Sequence, residues 1–315
     1  MRFERFDLNL LVILDTLLEE RNVTKASERL HIGQSGASAA LKRLREHFGD
    51  ELLVPVGRQM TLTPLAQTLV EPVREALLQV RAALARRPAF EPKTEHRKFV
   101  VCASDYVTTV LMAEVIQHIA VQAPQVSVDV RRPPKGFAEV FDRGELDLIV
   151  MPEPYLTHFT HPRTPLFRDT HVCLVWTGHA SVGESLTFDQ YMELGHVVVR
   201  LGEDARAVMF EEWFQPRYGR QRRIECSVDN FSTLPLLVVG TQRVATLHRR
   251  LAEYAVRHLP LRMLEVPVEV PPLVETMAWP RHLQNDPAHA WLREQVQLVA
   301  ARLDNRQGLG GAPTV

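Results

Sequence analysis

The sequence predicts an α/β chain, a small helical module followed by a larger region of alternating strands and helices, and three observations lead there. Residues 22–45, NVTKASERLHIGQSGASAALKRLR, place two short helical patterns around a tight His31-Ile32-Gly33 corner, the layout of a helix-turn-helix. Residues 64–87 carry one long apolar stripe at helical spacing. Beyond residue 92 short apolar runs alternate with helical periodicity, which means βαβ units and a largely parallel sheet.

Residues 7–20 read as a first helix, because Leu10, Leu11, Leu14, Leu17 and Leu18 share one face. In the next helix Thr24 offers a capping hydroxyl, and Ala26 with Leu30 supplies the buried side. Gly33 is the expected point of reversal. The second helix of the pair buries Ala37, Leu41 and Leu44 and exposes Gln34, Ser35 and Ser38, short enough to let a backbone approach base edges. Apolar runs on either side of Pro55-Val56-Gly57-Arg58 predict a β-hairpin wing with Arg58 near its tip, within reach of phosphates or the minor groove. Thr63-Pro64 starts the long helix, with proline where a missing N–H costs nothing. Leu69, Val73, Ala76, Val80 and Leu84 fall near a 3.5-residue repeat, which favours pairing with a second helix over burial on the chain's own domain. Residues 86–92, RRPAFEP, read as a hinge.

After the hinge, strands are expected at residues 99–103, 126–130 and 146–151, with helices at 107–121 and 137–143 between them. A second set has strands near 172–176, 196–200 and 224–228 and a helix around 205–214. A final amphipathic helix covers 288–303, and the glycine-rich residues 304–315 read as a mobile tail.

Apolar residues make up 45% of the chain and charged ones 24%, enough to bury sizeable cores. The net charge of -1 excludes a protein that coats nucleic acid indiscriminately, since such affinity comes from neutralising phosphate. Charge is local instead: between Lys25 and Arg45 Glu28 stands alone against Lys25, Arg29, Lys42, Arg43 and Arg45. Cys102, Cys173 and Cys226 read as buried thiols of a reducing cytosol. Residues 8–18 are broken by Asn9 and Asp15 and no stretch is long enough to span a membrane, so a cytoplasmic location is expected. No HExxH, CxxC, Walker loop or GxGxxG is present, and Gly33-Gln34-Ser35-Gly36 opens a basic helix instead of following a buried strand, so neither a metal nor a cofactor nor catalysis is expected.

The motifs DLNLL (7–11), ALKRLRE (40–46), LTP (62–64), RGELDLIV (143–150) and GTQRVATLHRRLA (240–252), with the helix-turn-helix, resemble the LysR-type transcriptional regulators over nearly the whole chain. EEWF (211–214) and WPRHLQNDPAHAWLRE (279–294) resemble the branch holding NodD-type nodulation regulators and NahR-type regulators of aromatic catabolism. The resemblance implies a winged helix-turn-helix, a long linker helix that dimerises, and a two-lobed periplasmic-binding-protein-like effector domain. The boundaries expected are 1–63, 64–92 and 93–303, with lobe I at 93–168 and 266–303 and lobe II at 169–265. It implies an activator that answers a small aromatic, phenolic inducer and works as a dimer of dimers. Expected partners are promoter DNA, the inducer, further copies of the chain and RNA polymerase. Gly36 departs from the alanine common in the family, at a cost of up to about 1 kcal/mol inside a helix.

The DNA-binding residues expected are Thr24, Gln34, Ser35, Ser38, Lys42, Arg43, Arg45 and Arg58; those expected to dimerise are Leu69, Val73, Val80 and Leu84. A ligand between two α/β lobes sits at strand ends and helix starts. That selects Ser104, Asp105 and Tyr106 after the first strand, Glu153 and Tyr155 after the third, Arg200 and Gly202 in the second set, and Asn230, Phe231 and His248. Ser104 caps a helix either with or without touching ligand, and Phe231 suits core as well as cleft. Two other classes stay open: a metabolic enzyme with an appended DNA-binding module, and a DNA-architectural protein indifferent to inducer.

Overall fold

The computed structural model describes residues 6–57, 59–85, 89–201, 206–207 and 209–308. Arg58 and Gly202 lie outside the described residues, as do residues 309–315 of the expected tail. The chain divides into two compact units, Met1–Arg87 and Pro88–Val315.

In the first unit α1 (Asn9–Glu20) buries Leu10, Leu14, Leu17 and Leu18 against α2 (Val23–Arg29) and α3 (Gln34–Phe48). The turn between α2 and α3 is built differently from its sequence reading. Asn22, extended at φ -154°, caps α2 by accepting the Lys25 N–H at 3.1 Å, because Thr24 already lies inside the helix. The reversal falls on His31 at φ 53°, not on Gly33 at φ -64°. His31 N–H bonds to Glu28 O and Ile32 N–H to Ser27 O, so the end of α2 is a Schellman motif with histidine in the left-handed position.

Strands β1 (Leu53–Val56) and β2 (Gln59–Leu62) pair antiparallel as the wing. Asp50 Oδ1 accepts the Leu52 N–H and the Thr63 hydroxyl, each at 2.6 Å, and so holds the buried Leu52 at a left-handed φ of 60°. Thr63 also accepts the Ala66 N–H and starts α4 (Pro64–Ala85), which runs through Pro72. The α4 stripe is split. Val73 and Leu77 are buried in the unit's own core with Leu69 packed against it, while Val80 is 45% and Leu84 84% exposed. Of the four residues expected to dimerise, Val73 is thus buried within its own unit and Leu69 partly so, while Val80 and Leu84 face outward.

The second unit holds a five-stranded sheet and a six-stranded one. The first is built from β3 (Arg97–Ala103), the helical stretch of α5 (Asp105–Val107), a π-turn (Thr108–Met112) and α6 (Ala113–Gln122), then β4 (Val126–Arg131), α7 (Phe137–Asp142), β5 (Leu148–Pro152), a 3-10 turn (Glu153–Leu156) and β6 (Arg163–Asp169). Thr170 alone separates β6 from β7 (His171–Trp176) of the second sheet. There follow α8 (Phe188–Glu193), β8 (Gly195–Leu201), β9 (Arg206–Ala207), α9 (Met209–Tyr218), β10 (Arg223–Val228), a 3-10 turn (Leu234–Leu237), β11 (Arg243–His248), α10 (Arg249–Val256) and β12 (Leu261–Glu265). The chain then returns to the first sheet with β13 (Leu273–Ala278) and ends in α11 (Pro287–Gly308), which reaches past the expected residue 303.

The strand orders are β4-β3-β5-β13-β6 and β10-β8-β11-β7-β12, with a short β9 beside β8. Each sheet is half parallel: β3 with β4 and β5, and β8 with β10 and β11, whereas β13 and β7 run antiparallel to both of their neighbours. The expectation of largely parallel sheets is corrected here. A chain that crosses from one sheet to the other and back needs two crossing segments, and those bring in β6, β7, β12 and β13. Cys102 and Cys173 are buried as expected, with burial pushing both thiols up to about 12, whereas Cys226 is only half-buried.

Candidate DNA interface and inter-sheet ligand site

On α3, Ala37, Ala40, Leu41 and Leu44 point into the core, which leaves Gln34, Ser35, Ser38, Lys42 and Arg43 on the free face. Gln34 Nε2 donates to the Thr24 hydroxyl at 3.3 Å, linking the start of α3 to α2. Lys42, 80% exposed, has Glu46 at 4.0 Å, and Arg43 has Asp7 at 3.5 Å; neither contact is tight enough to withdraw the cation from solvent. Arg45 is different. Its Nε donates to Glu51 O at 2.8 Å and its Nη2 to Leu53 O at 2.9 Å, so it clamps the wing to α3. Arg45 therefore braces the wing, because the carbonyls at the foot of β1 lie within its reach.

In the second unit the strand ends meet where the chain crosses between sheets. Asp169, last in β6, accepts the Tyr106 hydroxyl at 2.5 Å, the Thr170 N–H at 2.7 Å and the Arg250 N–H at 3.2 Å. Tyr106 is thereby fixed in the core. Its ring lies 4.2 Å from that of His248 and 6.3 Å from Phe231, and His248 lies 5.1 Å from Phe231. His248 and His171 are register partners on β11 and β7, so they share a sheet face, and their rings stand 4.8 Å apart. Phe210 of α9 closes the row at 5.3 Å from His171.

These groups are held uncharged. Burial lowers the His171 pKa to about 4, and burial with the neighbouring His171 takes His248 well below its ordinary value. The Nδ1 atoms of both are buried without a hydrogen-bond partner. Glu275 on β13, 1% exposed, has its carboxyl pushed up to about 8 by burial first and the field of Asp169 second. Such a surface can stack on an aromatic ring and exchange hydrogen bonds with it while offering little net charge.

The remaining candidates fall around this row. Ser104 caps α5 by accepting the Val107 N–H at 3.1 Å. The Asp105 carboxylate accepts the Ser232 N–H at 2.7 Å and its hydroxyl at 2.8 Å, which ties the first sheet's helix to the loop after β10. Tyr155 is partly exposed, and burial, then Glu212, then Glu275 raise its pKa. Asn230 serves its own turn, accepting the Thr233 N–H and hydroxyl. Glu153 is exposed at the start of the 3-10 turn, and Arg200 is exposed opposite Ala207 in the β8–β9 pair; among the described residues no contact brings either to the row of rings. Sequence reasoning did not select Asp169, His171, Phe210, Ser232 or Glu275. Only strand register brings His171 beside His248, and the alternation of β13 gave no sign that Glu275 faces inward.

Among the described residues no group of three or more His, Cys, Asp or Glu side chains could hold a metal ion, and no helix is long and apolar enough to cross a membrane.

Comparison with known proteins adds a consistent result. Residues 8–67 match the model of the bacterial regulatory helix-turn-helix protein, lysR family, and residues 92–301 match the LysR substrate binding domain. The chain is 40% identical over 294 residues to Nodulation protein D 2 of Rhizobium tropici, covering 93% of each. It is 38% identical over 303 residues to Nodulation protein D 1 of Bradyrhizobium sp. (strain NC92), covering 96% of each. A crystal structure of a Pseudomonas aeruginosa transcriptional regulator superposes with a TM-score of 0.62 at 26% identity, over 94% of this chain and 98% of the other. Full-length OxyR of Pseudomonas aeruginosa shares the fold, with a TM-score of 0.66 at 19% identity over 94% and 96%.

Proposed function

Because this chain belongs to the LysR family of transcriptional regulators, we propose that it is an activator that reads promoter DNA with α3 and the wing and answers a small aromatic inducer held between the two sheets of its second unit. The observation that carries the reading is the row Phe231–Tyr106–His248–His171–Phe210, a run of rings contributed by both sheets and lined by neutral polar atoms. Ser104, Asp105 and Tyr155 border it. Lys42 and Arg43 neutralise phosphate, while Gln34, Ser35 and Ser38 approach base edges. The exposed end of α4, with Val80 and Leu84, pairs with a second copy, since an uncovered leucine at that exposure costs hydration. Pairs of such dimers then span two half-sites and contact RNA polymerase at the promoter.

Family membership sets the chain among regulators and not among metabolic enzymes. The test is a thermal-shift screen of the full-length protein against phenols, hydroxybenzoates and neutral aromatic ketones, followed by DNA-bending measurements with any stabilising compound on a site obtained by selection from random DNA. A compound that raises the melting temperature and alters bending is expected. Stabilisation by no aromatic compound would discard the inducer, and unchanged bending would leave an architectural protein.

A further inference from the structure

Residues 266–272, the second crossing between the sheets, run beside α9, and a cavity of about 450 Å³ opens between them. It is lined by Trp213, Arg217 and Tyr218 of α9 and by Glu269, Val270 and Pro271 of the crossing, so it shares no residue with the row of rings between the sheets. Its floor is anchored from behind. Trp213, Tyr218 and Val270 are half-buried and pack on the core of the second sheet, together with Val266 and Val268. The Tyr218 ring lies 4.9 Å from that of Phe214, 5.4 Å from Phe188 and 6.0 Å from Trp213. Pro216 in α9 and Pro267 and Pro271 in the crossing restrict the backbone on both sides, so little freedom is lost when the cavity fills. The mouth carries polar groups that nothing engages. The Arg217 guanidinium lies over the Trp213 ring at 5.7 Å, and Arg217 and Glu269 are both exposed. Among the described residues neither of them forms an ion pair, and the Tyr218 hydroxyl makes no hydrogen bond. The neighbouring arginines are committed: Arg220 to Asp189 at 3.7 Å, Arg222 to Glu211, Arg223 to Glu225 at 3.1 Å and Arg249 to Glu265 at 2.7 Å.

We propose that this cavity is a small-molecule site apart from the inter-sheet row, and that it takes a zwitterionic α-amino acid with a large apolar side chain. The ligand carboxylate accepts from Arg217, its ammonium donates to Glu269, and its side chain lies against Trp213, Val270 and Pro271. Three arguments converge. Opposite charges that line one cavity without meeting leave a gap, and a molecule carrying both charges bridges it. A guanidinium matches a carboxylate in two parallel hydrogen bonds, and such charge-assisted bonds are the strong ones. A ligand with one charge engages one of the two groups and meets the other as a like charge, so the pair discriminates by repulsion as well as attraction. The size also fits, since small-molecule sites run to about 300–1,000 Å³ and combine an apolar wall with a few convergent polar groups. Nothing in this assignment depends on what the inter-sheet row holds.

The experiment titrates the full-length protein at about pH 7 with L-leucine, L-phenylalanine and L-tryptophan, by calorimetry and thermal shift. 2-Phenylethylamine and 3-phenylpropanoate serve as the matched analogues that keep the ring of phenylalanine and lack its carboxylate or its ammonium. At least one of the amino acids is expected to bind, and phenylalanine to bind about tenfold more tightly than either analogue. Arg217→Gln should bring phenylalanine level with the amine, and Glu269→Gln should bring it level with the carboxylate. Both substitutions fall on exposed side chains without ion pairs, so the variants should fold as the wild type does. Phe231→Ala, which truncates the inter-sheet row, should leave amino-acid binding unchanged. No saturable binding of any of the three amino acids up to about 10 mM would overturn the proposal. So would analogues that bind as tightly as phenylalanine, or an amino-acid affinity that survives both Arg217→Gln and Glu269→Gln. Binding lost in Phe231→Ala but kept in Arg217→Gln would move the ligand to the inter-sheet row and overturn this site while leaving that one standing.

Discussion

On the free face of α3 the side chains proposed to meet DNA are wet: Lys42 is 80% exposed, and Arg43 is held only loosely by Asp7. Between the sheets of the second unit the groups are sealed and neutral, with His171 and His248 unprotonated and Glu275 keeping its proton near neutral pH. The difference matches what the two proposed partners would require. DNA is a polyanion met in water, so long-range charge serves it and salt weakens it. A small aromatic molecule is met in a dry site, where shape and hydrogen-bond complementarity decide and an uncompensated charge is a penalty. Salt and pH should therefore separate the two units.

The largest contrast lies in how each region tolerates the loss of a carboxylate. Arg222, with its side chain 2% exposed, pairs with Glu211 at the start of α9, donates to the Tyr191 hydroxyl at 2.7 Å and lies over the Phe210 ring at 4.9 Å. Glu211→Ala strands that buried cation and should cost about 3 kcal/mol in urea unfolding of the second unit. Glu46→Ala, which removes the exposed partner of Lys42, should cost under about 1 kcal/mol. Equal costs would erase the distinction between the regions.

Acid gives the next effect. Burial holds His171 and His289 down to about 4 and, with Arg222 beside it, His196 down to about 3, against an ordinary 6.5. The unfolded chain takes up protons at these histidines before the folded one does. The stability they contribute is present above 6.5 and lost as the pH falls from there through about 4. Glu275 acts in the opposite sense: with its carboxyl raised from 4.5 to about 8, its contribution is lost as the pH rises through that range. Chemical denaturation followed between pH values of about 4 and 9 should show the second unit least stable at both ends, and Glu275→Gln should flatten the alkaline side. A stability flat across the acid range would mean that these histidines are not sealed.

Salt sharpens the other half of the comparison. Lys42→Ala and Arg43→Ala should each lower the slope of log affinity for DNA against log salt by about one unit, and alike for all sequences. Arg45→Ala should leave the slope nearly unchanged and instead loosen the wing, because its guanidinium is spent on Glu51 O and Leu53 O. A full unit lost with Arg45→Ala would return that residue to the interface. The smallest effect concerns Gly36, where an added methyl group would meet nothing within 4 Å. Gly36→Ala should stabilise the first unit by about 0.5–1 kcal/mol in thermal unfolding. A gain in stability with a loss in DNA affinity would mark Gly36 as a point of close approach.

The helix-turn-helix was legible because helical spacing alone decides which side of α3 is buried: Ala37, Leu41 and Leu44 select themselves. Its capping was less so. Asn22 and Thr24 are both able caps, and only the backbone shows that the helix starts between them. The α4 stripe was legible only in part for a similar reason, since Val73 and Val80 share a repeat but the first is buried and the second exposed. In the second unit β6, with Pro165 and two arginines in seven residues, and β13, with Glu275 and Thr276 at its centre, lack a clean alternation. They are strands because their neighbours supply hydrogen bonds to them. Tyr106, Phe231 and His248 could be picked as strand-end residues, yet the cluster they form depends on His171 and Asp169, which only the crossing between sheets brings beside them.

The claim that DNA reading and inducer sensing rest on separate residues meets its most direct test in one variant, Phe231→Ala, assayed for affinity to a selected DNA site with and without an aromatic compound that stabilises the wild-type protein. Phe231 contributes a ring to the inter-sheet row and, half-buried, should tolerate truncation better than a sealed core residue. The account predicts ligand-free DNA affinity within about twofold of wild type and loss of most of the ligand-dependent change, which in coupled systems is worth about 1–3 kcal/mol. A variant that keeps its full response to the ligand, or that loses DNA affinity in its absence, would contradict it.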